Sequence, residues 1–481
     1  MAGFHIENFG CRAARADGEA IAGNLRAMSE LEPFASDVVI VNTCSVTAEA
    51  DRAARAFIRR AHRRNPAARI VVTGCYAQRA PEEIAGMEGV AAVVGNSHKG
   101  LAPEIVRGLL GGASPVPKCE GPGAPAVVPV ESLLTAGAPQ FSVGAAQSPI
   151  RAPIWADDRF AHSFIEDPQG VGVQLSPGAQ TRPNLKIQEG CGNRCTFCVI
   201  PFTRGPSKSL PHAVVMRRAE GFVAAGGKEL VLSGINLGRW GRDLGSSHGS
   251  LAGLVHDLLE QTGLPRLRLS SIEPMDWNGE LIALMGEFGG NRLARHAHLP
   301  LQSGSDAVLR HMHRRYRPWH YAEKVGELLR AAGPDLTIGA DVMVGFPGET
   351  ESEFEETLAF IRALPFGYLH LFPFSARPGT RGWALHAASP VPQPVVEERM
   401  AVLRALAAEK SEAHRRRFVG RELEAITLQT PAALAPRGCA AALTDNFLPV
   451  ELEGSFTANQ LVRIRVRGLN GEGALMASAS A

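Results

Sequence analysis

The sequence predicts an α/β protein in three folded units: an N-terminal doubly wound parallel sheet over residues 1–110, a central partial (β/α)6 barrel over 183–417, and a small antiparallel β-barrel over 418–481. Three observations predict it. Apolar runs alternate with helical repeats up to about residue 110 and again from 183 to about 385, as in parallel strands joined by crossover helices. From Phe418 onward the hydrophobic period becomes two, with Gly and Asn at the turns, as in a small closed barrel. Six cysteines fall just past apolar runs, where open parallel sheets and barrels carry their chemistry.

Composition narrows the class. With 45% apolar and 20% charged residues, the 481-residue chain has material for several ordinary cores. A net charge of +2 announces no nucleic-acid partner in bulk, so any basic surface is local. No run of about 18 apolar residues exists, and the first eight residues lack the basic-then-apolar pattern of a signal peptide. The expectation is a cytoplasmic protein with no membrane partner. Eight cysteines in such a chain argue for metal binding over disulfides.

In the first unit, residues 4–8, 38–42, 69–73 and 92–95 read as buried strands, and 18–29, 48–63 and 81–87 as helices. Cys11, Cys44 and Cys75 stand just past the first three strands. Loops at the carboxyl ends of parallel strands converge, so these thiolates can hold an iron–sulfur cluster with one iron left open. Ser45, Thr47 and Gly74 suit the tight turns around it. Half of residues 111–150 are Gly, Ala or Pro, and the segment 111–182 reads as a disordered linker carrying a free Cys119.

In the second unit the strands are expected at 185–188, 229–233, 266–270, 297–301, 337–344 and 368–372. The loop after the first carries Cys191-Gly-Asn-Arg-Cys195-Thr-Phe-Cys198. Three thiolates can hold three irons of a cubane and leave the fourth open to a chelating ligand, unlike four-cysteine electron-transfer clusters. A zinc site would want a fourth ligand, and the next histidine is His212. Further polar and glycine groups recur at strand boundaries: Gly226-Gly227 before Glu229, then Glu273, Gln302 and Gly345. A long helix over 395–417 ends in His414-Arg415-Arg416-Arg417, cations suited to the helix dipole or to RNA phosphate. In the third unit Arg463, Arg465 and Arg467 alternate onto one face.

The C-x3-C-x2-C run resembles the signature of radical S-adenosylmethionine enzymes. The whole chain outside 111–182 resembles the methylthiotransferases of that class. The resemblance is carried by Gly10-Cys11, Asn42-Thr-Cys44, Thr73-Gly-Cys75, Cys191 to Cys198 with Pro201-Phe-Thr-Arg-Gly205, His298 to Gly304, Asp341 to Glu349, and Ser375 to Thr380. It implies two [4Fe-4S] clusters, one on Cys191, Cys195 and Cys198 and an auxiliary one on Cys11, Cys44 and Cys75. It implies S-adenosyl-L-methionine bound by Gly226, Gly227, Glu229, Glu273, Gln302 and Gly345, and a C-terminal TRAM domain that meets the tRNA anticodon loop through Arg415, Arg416, Arg417, Arg463 and Arg465. The implied reaction is radical abstraction of hydrogen from C2 of an adenine, sulfur delivery from the auxiliary cluster, and methylation by a second S-adenosylmethionine. It needs an electron donor of flavodoxin or ferredoxin type and a sulfur source. Lys186 to Cys191 and Ala442 to Asn446 look most like the branch that modifies N6-threonylcarbamoyladenosine. The competing expectations are methylthiolation of isopentenyladenosine or of a ribosomal-protein aspartate, and a non-catalytic iron–sulfur RNA-binding protein. One departure stands out: the family's amide soon after the first cysteine is replaced by Ala14-Arg15.

Overall fold

The computed structural model describes residues 3–29, 37–110, 151–164, 181–245 and 249–480. Strands β1 (Phe4–Asn8), β2 (Val38–Thr43), β3 (Arg69–Gly74) and β4 (Val90–Gly95) pair in parallel in sequence order. Helices α1 (Arg12–Ser29), α2 (Ala48–Arg64), α3 (Cys75–Arg79), α4 (Pro81–Ala85) and α5 (Ala102–Leu110) cover both faces. Ile21 and Leu25 of α1 pack with Ile105 of α5 on one side of the sheet. Ile58 of α2, Tyr76 of α3 and Ile84 of α4 pack on the other. The Thr47 hydroxyl caps α2 by accepting the Ala50 N–H, and acidic residues in its first turn and basic ones in its last complement the dipole. Helix α1 begins at Arg12, directly after Cys11, earlier than the sequence period implied.

One expectation is corrected here. Residues 151–164, assigned to a disordered linker, are ordered. Strand β5 (Ile154–Trp155) extends the sheet beyond β4. Ala152 and Ile154 complete an apolar layer there, and Gln78 donates to the Asp157 carbonyl at 2.7 Å. Arg182 is ordered too, hydrogen-bonded to Glu229 at 3.1 Å. Residues 111–150 and 165–180, with Cys119, lie outside the described residues.

The central unit contains β6 (Asn184–Glu189), β7 (Lys208–Ser209), β8 (Glu229–Gly234), β9 (Arg266–Leu269), β10 (His296–His298), β11 (Thr337–Val344) and β12 (Phe366–Pro373). Strands β6, β8 and β9 are parallel, as are β10, β11 and β12. Parallel bridges at Leu267–Leu293 and Ser271–His298 join the two groups, so six parallel strands form one arc, with β7 as an antiparallel spur on β6. Alternation divides each strand. Leu185, Ile187, Leu230, Leu232, Leu267 and Leu269 pack under the helical layer. The residues between them, including Lys186, Gln188, Ser233, Arg268 and Ser270, are buried and polar. The concave side of the arc is therefore a polar lumen, and α1 lies against it at β6 and β8.

Strands β13 (Glu422–Thr427), β14 (Cys439–Thr444), β15 (Pro449–Glu453), β16 (Leu461–Leu469) and β17 (Leu475–Ala479) close a barrel around Leu423, Val450, Leu452, Ile464 and Val466. All pairings are antiparallel except β15 with β17. Ion pairs dock it on the central unit: Arg295 to Asp445 at 2.7 Å, Arg421 to Asp335 at 2.6 Å, and Arg266 to Glu424 at 2.5 Å. Its Asp445–Phe447 turn closes the lower mouth of the central barrel, where the Phe447 ring stands 4.4 Å from His296 and 5.5 Å from Tyr368.

Candidate functional site

Three neighbouring parallel strands deliver three thiols to one edge. Cys11 follows β1, Cys44 follows β2, and Cys75 opens α3 after β3. Gly10 has φ +114°, and a Cβ there would lie 2.8 Å from the Cys44 Cβ, so only glycine lets these two loops meet. The Cys44 sulfur accepts the Val46 N–H at 3.5 Å. Cys75 accepts from Arg204 Nε at 3.2 Å and from Asn96 Nδ2 at 3.4 Å. Burial, and then the nearby Cys75 and Cys11, push the Cys44 thiol up to about 12. A thiol held so high gives up its proton when a cation stands beside it, which is what a metal centre supplies. At the departure from the family pattern, buried Ala14 leaves its carbonyl to accept from Asn42 Nδ2 at 2.5 Å.

The second trio lies on the loop after β6. Asn236 Nδ2 donates to the Cys191 sulfur at 3.6 Å, and Arg314 Nη1 to the Cys195 sulfur at 3.2 Å. Burial, reinforced by Cys195, pushes the Cys198 thiol up to about 12. Glu273 takes both oxygens to Arg314 Nη2 at 2.7 and 2.5 Å, so this expected cofactor residue stands beside the cysteines and orients their cation. An open cleft of about 490 Å³ runs along the cysteine loop, walled by Phe202, Gly379 and Arg381.

Among the described residues, neither trio has its three ligand atoms within 4.8 Å of one another, whereas His298, Asp341 and His370 do. A single zinc at Zn–S of about 2.3 Å would draw thiolates to roughly 3.8 Å apart. Neither trio is gathered that closely.

Beside the second trio, the carboxyl ends of the strands present buried polar atoms without partners among the described residues: Ser233 Oγ, Asn236 Oδ1, Ser270 Oγ, Gln302 Oε1 and Ser305 Oγ. Gln302 is held at φ +64° by bonds from its N–H to the Asp341 carbonyl and from the Met343 N–H to its own carbonyl. Gly345 ends the same rim after β11, its N–H donating to Glu349 at 2.9 Å. Donors and acceptors kept dry and unpaired suit a ligand with amino, carboxylate and hydroxyl groups.

Gly226, Gly227 and Glu229 are not part of this rim. They precede or open β8, so chain direction puts them at the opposite, amino-terminal end. A Cβ on Gly227 would strike the Phe222 ring at 2.2 Å, and Gly226 accepts from Asn459 of the C-terminal barrel. Glu229 is fully buried and paired with Arg182, Arg266 and Arg268 at 3.1, 3.2 and 2.7 Å. The attraction of these guanidiniums overcomes burial and holds its carboxyl at about 2. Its role is structural.

A buried charge network joins the two cysteine trios. Lys99 and Lys186 pair with Asp17 and Glu189, and Arg204 bonds Asp17 at 3.2 Å and Glu189 at 2.7 Å. Three cations face two carboxylates, and the excess charge is aimed through Arg204 Nε at Cys75. An anionic sulfur there completes the balance. Helix α6 (Ile200–Arg204), which follows Cys198, packs against α3, which begins at Cys75. Ser375 accepts the Ala48 N–H at 3.0 Å, and Arg377 reaches Ser45 and Asp51, adding a clamp between the same units.

The expected RNA residues divide. Arg463 and Arg465 are exposed on β16, Arg465 in a 3.3 Å pair with Glu422. Arg416 is exposed and paired with Glu412. Arg415 and Arg417 instead donate to the carbonyls of Gly473 and Pro334, tying the long helix Gln393–Arg416 to its neighbours.

Residues 3–95 match "Uncharacterized protein family UPF0004" and residues 185–361 match "Radical SAM superfamily". The threonylcarbamoyladenosine tRNA methylthiotransferase MtaB of Aquifex aeolicus is 32% identical over 96% of this chain and 99% of its own. The chain belongs to the radical S-adenosylmethionine methylthiotransferase family. The Bacillus subtilis MtaB is 33% identical over 95% of this chain and 91% of its own. The tRNA-2-methylthio-N(6)-dimethylallyladenosine synthase of Cereibacter sphaeroides is 33% identical over 96% and 95%. Among solved structures, the radical methyltransferase TsrM of Kitasatospora setae aligns at TM-score 0.49 with 14% identity, covering 76% of this chain and 72% of that one.

The family's cofactors are two [4Fe-4S] clusters and S-adenosylmethionine, and the two trios and the polar rim fit them. Sequence reasoning missed Asn236 and Arg314 at the second trio, and Asn96 and Arg204 at the first. Ser233-Gly-Ile-Asn236 had a usable signal, standing after a strand as the cysteines do. Arg204 sits within the family's Pro201 to Gly205 motif, but its partner Cys75 is 129 residues away.

Proposed function

We propose that this methylthiotransferase adds a 2-methylthio group to N6-threonylcarbamoyladenosine beside the anticodon of tRNA. The observation that carries the reading is the joining of two three-cysteine sites through α3, α6 and Arg204. When bound, the cluster on Cys191, Cys195 and Cys198 supplies reductive cleavage of S-adenosylmethionine, and that on Cys11, Cys44 and Cys75 an open iron for sulfur. The chain's own contribution is placement. Arg314 and Asn236 donate to sulfurs of one site, and Arg204 and Asn96 to a sulfur of the other. Such bonds stabilise the anionic ligand and fix its orientation. The rim from Ser233 to Ser305 binds the cofactor's polar groups, and the barrel walls exclude water from the lumen. The target base enters between α1 and the carboxyl rim, because Phe447 closes the other mouth.

The exposed arginines of β16 and Arg416 contact the tRNA backbone. A flavodoxin or ferredoxin type donor approaches the cleft at Phe202 and Arg381. A sulfur source acts from outside the chain in the cytoplasm. In support, no helix among the described residues is long and apolar enough to cross a membrane.

The test is anaerobic reconstitution with iron and sulfide, turnover with S-adenosylmethionine and dithionite as electron donor, and mass spectrometry of nucleosides from a tRNA carrying N6-threonylcarbamoyladenosine. The 2-methylthio nucleoside is expected. Its absence, with a dimethylallyladenosine tRNA converted instead, would replace this substrate by the one named for the Cereibacter relatives.

A further inference from the structure

The lower half of the lumen holds more positive charge than its carboxylates neutralise. Arg182, Arg266 and Arg268 share the one carboxylate of Glu229, and Arg266 also reaches Glu424. A fourth guanidinium, Arg12, enters from α1, one residue past Cys11. It stands 5.5 Å from the Phe447 ring centroid, with Arg268 at 5.4 Å from the same ring. Among the described residues no carboxylate lies within ion-pairing distance of Arg12; Glu229 and Asp341 act on it only from further away. Arg268 is fully buried; its Nε and Nη2 bond Glu229 and the Thr444 carbonyl, while its Nη1 has no partner among the described residues. The same is true of Nδ1 of His296, whose ring lies 4.4 Å from Phe447. Arg12 and Arg182 also line a cavity of about 290 Å³ with Arg15, Asn184 and Gln429, with no acidic residue among the described residues of its wall.

Three guanidiniums share the Glu229 carboxylate and half-buried Arg12 has none, so an anionic ligand would balance the excess charge. We propose that Arg12 and Arg268, with Arg182 in the cavity wall, receive the carboxylate of the threonylcarbamoyl group, which makes Arg12 a specificity-determining residue. The inference rests on the substrate reading above. Position supports it: C6, which bears N6, and C2 of adenine flank the same ring nitrogen, and Arg12 adjoins a cysteine of the edge where C2 would receive sulfur. Chemistry supports it too. A dimethylallyl group in this space would desolvate Arg12 and the free Nη1 of Arg268 without offering either an acceptor, the kind of mismatch that rejects a substrate strongly.

The same cations could take a backbone phosphate of the tRNA, so the test separates the two sources. Reconstituted full-length protein, Arg12→Gln and Arg12→Lys are titrated by fluorescence anisotropy with two anticodon stem-loops. One carries N6-threonylcarbamoyladenosine and the other its carboxamide analogue. Unsubstituted protein is expected to bind the carboxylate loop about tenfold tighter or more. Arg12→Gln should erase that preference by weakening the carboxylate loop alone, and Arg12→Lys should restore part of it. Equal weakening on both loops assigns Arg12 to a phosphate and overturns the proposal, as does unsubstituted protein that binds both loops alike. If Arg12→Gln loses iron relative to the unsubstituted protein, the two-loop comparison on unsubstituted protein decides alone. Methylthiolation of both loops at equal rate sinks the proposal and leaves the substrate reading standing. Conversion of a dimethylallyladenosine loop only sinks both.

Discussion

Asn236 has two polar ends in different environments. Its Nδ2 donates to the Cys191 sulfur, while its Oδ1 is buried with no partner beside Ser233 and Ser270. Replacing it with alanine removes one hydrogen bond from the cluster ligand and one acceptor from the cofactor rim. A lost bond worth about 1.4 kcal/mol corresponds to about tenfold in affinity. Equilibrium dialysis of reconstituted Asn236→Ala should therefore show S-adenosylmethionine binding about tenfold weaker at nearly unchanged iron content. Glu229→Gln gives the opposite pattern. It removes the carboxylate shared by buried Arg266 and Arg268 and half-buried Arg182, at a cost of about 3–5 kcal/mol, so the melting temperature should drop steeply. Protein that remains folded should bind the cofactor normally. Equal loss of cofactor affinity in both variants would contradict the placement of Glu229 outside the rim.

At the scale of elements, the readable information was direction. An apolar run followed by a cysteine fixes which end of a parallel strand carries it, and both trios were legible for that reason. The same argument excludes Gly226 and Gly227, which precede β8 and so lie at the other rim; the family expectation hid what chain order already implied. Not legible were the partners of the inward-facing residues. Lys186, Arg268 and His296 interrupt apolar strands, and only tertiary assembly shows Asp17, Glu229 and Phe447 meeting them. The fold of 151–164 was hidden by composition, since Pro, Asp and Arg surround the two residues that pair with β4.

His414 shows how an element can override a local rule. A cation in the last turn of a helix is ordinarily favourable, yet His414 is buried and bonded to Thr337 Oγ1 at 2.8 Å. Burial first, then Arg417 and Arg415, lower its pKa to about 4. The folded value lies below the unfolded one of about 6.5, so the unfolded chain takes up the proton first as pH falls. Stability from the neutral ring is complete above pH of about 6.5 and is lost progressively toward about 4, on the order of 3 kcal/mol in all. Urea midpoints measured across that window should fall with pH in the native chain and fall less in His414→Gln. Parallel slopes would show that the ring titrates freely.

For the molecule as a whole, charge holds the units in register. Arg204 is the hinge of the N-terminal junction, bonding Cys75, Asp17 and Glu189 at once with no exposed surface. Arg204→Met removes the cation that donates to Cys75 and leaves Lys99 and Lys186 to balance Asp17 and Glu189. The reconstituted variant should hold roughly half the iron, because the auxiliary site loses the donor that balances its charge while the loop after β6 keeps all three of its cysteines. Retention of full iron with normal absorbance would show that the network serves packing alone.

The C-terminal junction constrains how RNA binding can be tested. Deleting residues 418–480 would uncover Arg266, Arg295 and Asp335 along with the lower mouth of the barrel, so lost tRNA affinity in such a truncation would report unfolding as much as lost contacts. The exposed face of β16 offers a cleaner probe. Arg463 projects to solvent, and the Arg465–Glu422 pair is exposed on both sides, the kind of contact that contributes little to stability and can yield to phosphate. Each phosphate neutralised by such a side chain adds about one unit to the slope of log affinity against log salt. Arg463→Ala should therefore leave the melting temperature unchanged, weaken binding of every tRNA by a similar factor, and lower that slope by about one. An unchanged salt slope would remove β16 from the RNA contact surface and leave Arg416 as the exposed candidate on the long helix.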